Sequence, residues 1–190
     1  MRSFRLSPIA TACRRPIRDS LLVREQKLLP MPDRPAPSPT VRSATRDDLP
    51  VLKEFEQGII TAERPYDHTL KPDPISYYDI GERIDSEDAE VAVIEIDGEI
   101  VASGYVEKKR SRHYIQHEHH AFLGFMFVLP EFRGRGLNKL LIDHLTGWAK
   151  TNGLNELRLT VYSTNEPAIR AYEKAGFAPY ITEMRLNLDE

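Results

Sequence analysis

Apolar and polar positions change period several times along this chain, and each change marks the edge of a predicted element. Thr40 to Thr45 is a short alternating run and predicts a strand. Asp47 or Asp48 then caps a predicted helix that reaches about Thr61. Glu63 to Pro74 has no period and reads as a loop, and Ile75 to Ile84 as a second helix. Glu90 to Ile96 and Glu99 to Lys109 return to a period of two, joined by Asp97-Gly98, a pair suited to a two-residue hairpin turn. A further strand is predicted from near Glu118 to Leu129, stopping at Pro130. Leu137, Leu140, Leu141, Leu145, Trp148 and Ala149 then recur at helical spacing on one face, and Gly153 ends that helix. Leu157 to Ser163 and Ile181 to Leu188 alternate as strands, with a short helix opening at Asn165 between them. The order β-α-α-β-β-β-α-β-α-β is that of a mixed α/β fold, without internal repeats.

Charge divides the chain in two. Residues 1–39 carry a balance of +5 and the remainder a balance of −8. The first part is rich in proline from Pro30 to Pro39 and poor in core formers, and predicts a disordered or loosely docked tail with no catalytic role. Asp19 to Leu29 is its one helix candidate, and Ile9 to Cys13 is too short and polar for a signal-peptide core. Residues 40–190 form the predicted domain, of a size that buries a core unaided. Its acidic balance argues against a nucleic-acid surface and favours a cationic acceptor. No apolar run approaches the ~20 residues that span a membrane. Cys13 is the single cysteine, which excludes an internal disulfide and a cysteine-based metal site and fits a cytoplasmic protein.

The most informative chemistry lies at Phe132-Arg133-Gly134-Arg135-Gly136-Leu137-Asn138-Lys139, between the strand that ends before Pro130 and the long amphipathic helix. Gly134 and Gly136 permit a tight turn and let an anion approach the backbone. The first amides of a helix have no internal partners, and the helix dipole adds positive potential there. Arg133 and Arg135 add formal charge, so the segment is a predicted pyrophosphate cradle. It is not a Walker loop, because Leu137 and Asn138 follow Gly136 where Lys and Ser/Thr are needed. Nor is it a dinucleotide fingerprint, because Lys139 stands in place of the third glycine.

This loop resembles the Arg/Gln-x-x-Gly-x-Gly/Ala loop of the GNAT superfamily of acyl-CoA N-acyltransferases, with Arg133 and Gly136 in the first two defined places and Asn138 departing from the third. About 30 residues downstream, Asn165, Ala171, Tyr172 and Lys174-Ala175-Gly176-Phe177 are similar to the family's second signature. The resemblance covers roughly residues 40 to 188. It implies a central, mostly antiparallel sheet flanked by helices and splayed between the phosphate-loop strand and the next one. It also implies acetyl-CoA as co-substrate, no metal, and a homodimer formed along the last strand.

The resemblance gives Arg133, Gly134, Arg135, Gly136, Leu137 and Asn138 to the pyrophosphate, the backbone of Phe127 and Val128 to the pantetheine arm, and Tyr172 to the departing sulfur. Asn165 either caps its helix or touches the cofactor. Many members carry an acid within the strand before the loop, but Phe122 to Met126 has none. The expected general base is therefore His120 or Glu118, in the run His117-Glu118-His119-His120 at the strand's beginning. Clustered histidines also suggest a metal site, and solvated strand-end residues explain the run as well as catalysis does. Glu63 or Asp67 is a candidate to hold an acceptor's ammonium, with Tyr77, Tyr78 and Tyr105 as candidate walls. The expected reaction is direct transfer of acetyl to the primary amine of a small molecule. A protein-modifying enzyme and a catalytically weak acyl-CoA-binding module remain the alternatives.

Overall fold

The computed structural model describes residues 38–188, so the tail expected at 1–39 lies almost wholly outside the described residues, as does its helix candidate at Asp19 to Leu29. The strands are β1 (Thr40–Ser43), β2 (Ala89–Ile96), β3 (Glu99–Arg110), β4 (His119–Val128) and β5 (Leu157–Arg158). The helices are α1 (Leu49–Glu63), α2 (Ile80–Asp85), α3 (Leu137–Thr151) and α4 (Glu166–Lys174). The sheet order is β1-β2-β3-β4-β5; the first three interfaces are antiparallel and β4–β5 is parallel.

The sheet is covered on both faces. Val91 and Val93 of β2 pack with Leu52, Phe55 and Ile59 of α1 and Ile80 of α2, whereas Ala92 and Ile94 pack with Leu137, Leu141 and Leu145 of α3. That double cover explains why β2 is apolar at consecutive rather than alternate positions through its centre. Leu140 departs from the expected helical face: it is exposed, and Ile142 is buried in its stead.

β4 carries one residue more than its pairing with β3 can match. Ser103 faces Phe127 and Tyr105 faces Gly124, so Phe125 and Met126 together oppose Gly104. Phe125 takes up the surplus at φ +57. Such a bulge inverts the parity of a strand. Ala121 and Leu123 face α3 before it, but beyond it Met126 and Val128 do so, and Phe125 and Phe127 turn towards α1. Gly104 and Gly124 fit this crossing: a Cβ on Gly124 would lie 2.4 Å from the Tyr105 hydroxyl, and one on Gly104 2.6 Å from the Met126 sulfur.

Three expected elements differ. The strand predicted over Leu157 to Ser163 pairs only at Leu157 and Arg158, opposite Ala121 and Phe122, so the two backbones part before the bulge in β4. The strand predicted at Ile181 to Leu188 does not form; Ile181, Met184, Leu186 and Leu188 are exposed. A β5 that is two residues long offers no ladder for a further strand, and an open depression of about 390 Å³, lined by Arg158, Phe177 and Tyr180 among others, lies there. The edge expected to join two copies is therefore not a strand among the described residues. Finally, the second helix begins at Ile80 rather than Ile75, because the buried Glu56 carboxylate accepts from the Tyr77 and Tyr78 amides at 2.7 and 2.8 Å and from Ser76 Oγ. Asp79 then caps α2 from the Glu82 amide. Asp48 does not cap α1 through its side chain either. It accepts two bonds from Arg42 and one from the Thr45 amide, and the Arg42 guanidinium beside it lowers its carboxyl to about 2.

Candidate active site

The phosphate loop is built as a cup of unpartnered amides. After the turn Pro130–Phe132, Gly134 and Gly136 adopt φ +76 and +79, values open to glycine at little cost. Among the described residues, none of the five amides from Gly134 to Asn138 donates a hydrogen bond; the first that does is Lys139, to the Gly136 carbonyl. No atom lies within 4 Å of where a Cβ would stand on either glycine, so the cup is open to an incoming group. Leu137 anchors its floor in the α3 core, and Asn138 is half-buried at the helix start.

The two arginines first hold the loop itself. Arg133 Nε donates to the Val128 carbonyl at 3.0 Å, and Arg135 Nη2 to the Glu131 carbonyl at 2.9 Å, its guanidinium over the Phe132 ring. Their charge thus sits at the cup's rim on fixed geometry. A loop of free amides, helix start and guanidinium groups fits a pyrophosphate.

Beside the cup the sheet opens. β4 pairs with β5 only as far as Phe122, which leaves its outer edge from Leu123 to Val128 without a strand partner. Phe127 and Val128 pack their side chains into the two cores, so only their backbone faces this gap. Across it stands α4, capped by Asn165, whose side-chain oxygen accepts from the Ala168 amide at 3.3 Å. Tyr172 lies on α4 against the core, its ring centroid 5.9 Å from that of Phe177. Burial, reinforced by the Glu63 carboxylate, pushes its phenol up to about 12. It therefore carries its proton throughout the physiological range.

His120 and Glu118 do not join this group. They lie at the opposite end of β4, about 25 Å along the strand from the loop at ~3.3 Å per residue. Glu118 is exposed, and its carbonyl accepts from the Ser111 amide at 2.7 Å. His120 is buried with Nδ1 3.1 Å from Ser111 Oγ. Burial and the nearby Arg158 lower its pKa, so it is neutral. His117 Nε2 lies 3.0 Å from Glu156, whose other oxygen accepts from Arg158. Among the described residues no group of three or more His, Cys, Asp or Glu is arranged to hold a metal ion.

The ionisable group that does reach the gap is Glu63. Its carboxylate acts on Tyr77, Tyr78, Tyr162 and Tyr172, which come from three other segments of the chain. Tyr66 stacks on Tyr162 with centroids 6.0 Å apart, and Asp67 accepts from Arg185 at 3.1 Å, tying the loop after α1 to the far side of the gap. Asp67 is thus engaged, and Tyr105 is buried in the core with Arg83 over its ring. Tyr66 and Tyr162 carry no signal in the sequence; each is a lone aromatic in a different segment.

Comparisons with known proteins bear on the family and the fold. A family model described as the acetyltransferase (GNAT) family matches residues 56–177. Streptothricin acetyltransferase of Streptomyces lavendulae is 41% identical over 51 residues, 27% of this chain and 27% of that protein. A [ribosomal protein bS18]-alanine N-acetyltransferase of Salmonella typhimurium is 42% identical over 50 residues, 26% of this chain and 34% of that one. The chain thus aligns with only about a quarter to a third of the length of these curated relatives. The crystal structure of a predicted acetyltransferase with acetyl-CoA from Clostridium acetobutylicum superposes with a TM-score of 0.61 at 18% identity, over 80% of this chain and 97% of that one.

Proposed function

The chain belongs to the acetyltransferase (GNAT) family, and from that premise we propose that it transfers an acetyl group from acetyl-CoA to the primary amine of a small molecule. The observation that carries the reading is the cup of five unpartnered amides opening onto the unpaired edge of β4, with Tyr172 on the opposite wall. Acetyl-CoA, when bound, supplies an activated acyl group and a thiolate leaving group. The chain's own residues supply position and protons. Gly134 to Asn138, with Arg133 and Arg135 at the rim, hold the pyrophosphate, and the free edge of β4 aligns the pantetheine arm. Tyr172, kept neutral by burial, delivers a proton to the departing sulfur.

A small acceptor is favoured over a protein chain because the gap is bounded. The Tyr66–Tyr162 stack and the Asp67–Arg185 pair link the turn after α1 to segments after β5, which supports a bounded site over a long open groove. Residues 40–188 hold every group named here, and residues 1–39 take no part in the reaction. Calorimetric titration with acetyl-CoA, on the full chain and after removal of residues 1–39, tests the first half of the reading. Micromolar binding in both forms is expected. Release of free thiol with streptothricin, L-lysine or an alanine-initiated hexapeptide tests the second. Turnover of the peptide alone would establish the protein-modifying reading instead, and binding without turnover of any amine the acyl-CoA-binding module.

A further inference from the structure

The residues expected to supply a general base stand at the wrong end of β4, so the proton of the acceptor's ammonium needs another destination. The fold brings one group into position. α1 is fixed over β4 by Phe55, whose ring lies 4.9 Å from that of Phe127, and by Gly58, where a Cβ would meet the Phe127 ring at 2.6 Å. The turn after α1 is fixed beyond β5 by the Tyr66–Tyr162 stack. The last turn of α1, which carries Glu63, therefore spans the opening between the two strands. Among the described residues Glu63 forms no ion pair. The Tyr77 hydroxyl that faces it is buried and makes no hydrogen bond of ordinary geometry.

Resting on the acetyl-transfer reading above, we propose that Glu63 is the catalytic residue that accepts the proton of the acceptor's ammonium, with Tyr77 as its positioning partner. An ammonium entering beside Glu63 meets a carboxylate and the faces or edges of aromatic rings, a combination that attracts cations. Once water is excluded, moving the proton from ammonium to carboxylate replaces two buried charges by two neutral groups, and desolvation favours that direction. The freed amine nitrogen then bonds to the acetyl carbon and the carbon–sulfur bond breaks. Tyr172 gives its proton to the sulfur. The nitrogen, cationic once bonded to the acetyl carbon, gives its surplus proton to the Tyr172 phenolate, and Glu63 returns its own to solvent, so one proton is released for each amide formed. The Glu63 carboxylate acts electrostatically on Tyr77 and Tyr78 before α2, Tyr162 after β5 and Tyr172 on α4, and Asp67 acts on Tyr162 as well. Arg64 lies close to Tyr77 and is held by the Lys71 carbonyl and Asp73.

The test uses the full chain with carbon-13 in its glutamate carboxyl groups. The Glu63 signal is identified as the one missing from Glu63→Gln. Adding n-propylammonium chloride should shift it, and matched sodium chloride should not; an unmoved signal overturns the site. Kinetics are then measured on whichever of the three amines turns over. Glu63→Gln should lower kcat about 100-fold while the acetyl-CoA Kd stays within about twofold. Its residual rate should rise about tenfold per pH unit, because only amine deprotonated in solution can react. Glu63→Asp should recover part of the loss. Tyr77→Phe should move the acid limb of kcat/KM to higher pH, since the Tyr77 hydroxyl lowers the carboxyl it faces; a merely structural Tyr77 leaves the limb in place. Wild-type kcat in Glu63→Gln refutes the base. Absence of acetyl-CoA binding to the unaltered protein sinks the acetyl-transfer reading instead and leaves the carboxyl titration standing.

Discussion

The two ends of β4 make an instructive pair. At its start, His117, His120, Glu156, Arg158 and Ser111 crowd together: His120 meets Ser111, Glu156 accepts from Arg158, and His117 Nε2 lies 3.0 Å from Glu156 without a hydrogen bond of ordinary geometry. At its finish, among the described residues, five successive amides have no hydrogen-bond partner, and the hydrogen bonds of two arginines hold the loop in shape. The first end is richer in catalytic residue types and the second is richer in unmet bonding capacity. Exposed amides at a helix start bond water and can exchange it for an anion, so a loop that gathers several of them in one place is disposed to bind one. Satisfaction, more than residue type, separates the two ends.

The contrast can be broken most forcefully at the loop. Gly136→Glu places a carboxylate in the cup, on a backbone at φ +79 that side chains tolerate poorly. Acetyl-CoA affinity should fall by at least about 100-fold, through repulsion of the pyrophosphate. Calorimetry and a circular-dichroism melt together show whether binding goes while the fold stays. Tyr172→Phe should come next, with kcat reduced on the order of 100-fold and Kd for acetyl-CoA little changed. Because its phenol titrates near 12, the wild-type rate should show no alkaline fall from this group below about pH 10.

The start of β4 should respond in stability rather than in rate. His120→Gln is expected to leave kcat within about twofold yet cost about 1–2 kcal/mol of stability through the lost Ser111 contact. It should also change the acid response. The folded-state pKa of His120 lies below the unfolded value near 6.5, so above that pH the group contributes nothing to the pH dependence. As pH falls through 6.5 the unfolded chain binds the proton first, and stability is lost. Melting temperatures from pH 8 to 5 should therefore decline less steeply in His120→Gln. A catalytic histidine would instead lose turnover and leave the melts parallel.

The cup was legible in the sequence because all its parts are contiguous: a strand that stops, two glycines, two arginines and a helix start within a dozen residues. Tyr172 was legible only with its neighbours Asn165 and Lys174 to Phe177. Glu63 was visible as an acid near an acceptor, but its company was not, since Tyr77, Tyr162 and Tyr172 come from segments separated by up to 109 positions in the numbering. The bulge was equally hidden. Alternation extrapolated through Phe125 puts Leu123 and Phe127 on one face, and a single positive φ puts them on opposite faces. The failed strands have a tertiary cause as well. Leu157 to Ser163 and Ile181 to Leu188 have strand-like composition, but a strand needs a neighbouring backbone; β4 pairs with the first over two residues only, and so short a β5 offers no ladder to the second.

The two-residue contact between β4 and β5 also divides the molecule by stability. β1 to β4 are consecutive strands joined by longer ladders, whereas α4 and the residues after Arg158 are held by one short parallel pairing, the packing of Leu159, Tyr172, Ala175 and Phe177, the Tyr66–Tyr162 stack and the exposed Asp67–Arg185 pair. Amide hydrogen exchange should therefore step down after Leu157, with β3 and β4 opening only on global unfolding and α4 opening at lower free energy. Tyr172 rides on the half that opens first. In the proposed reaction, the wall that delivers the proton is thus also the one held by the fewest ladder bonds.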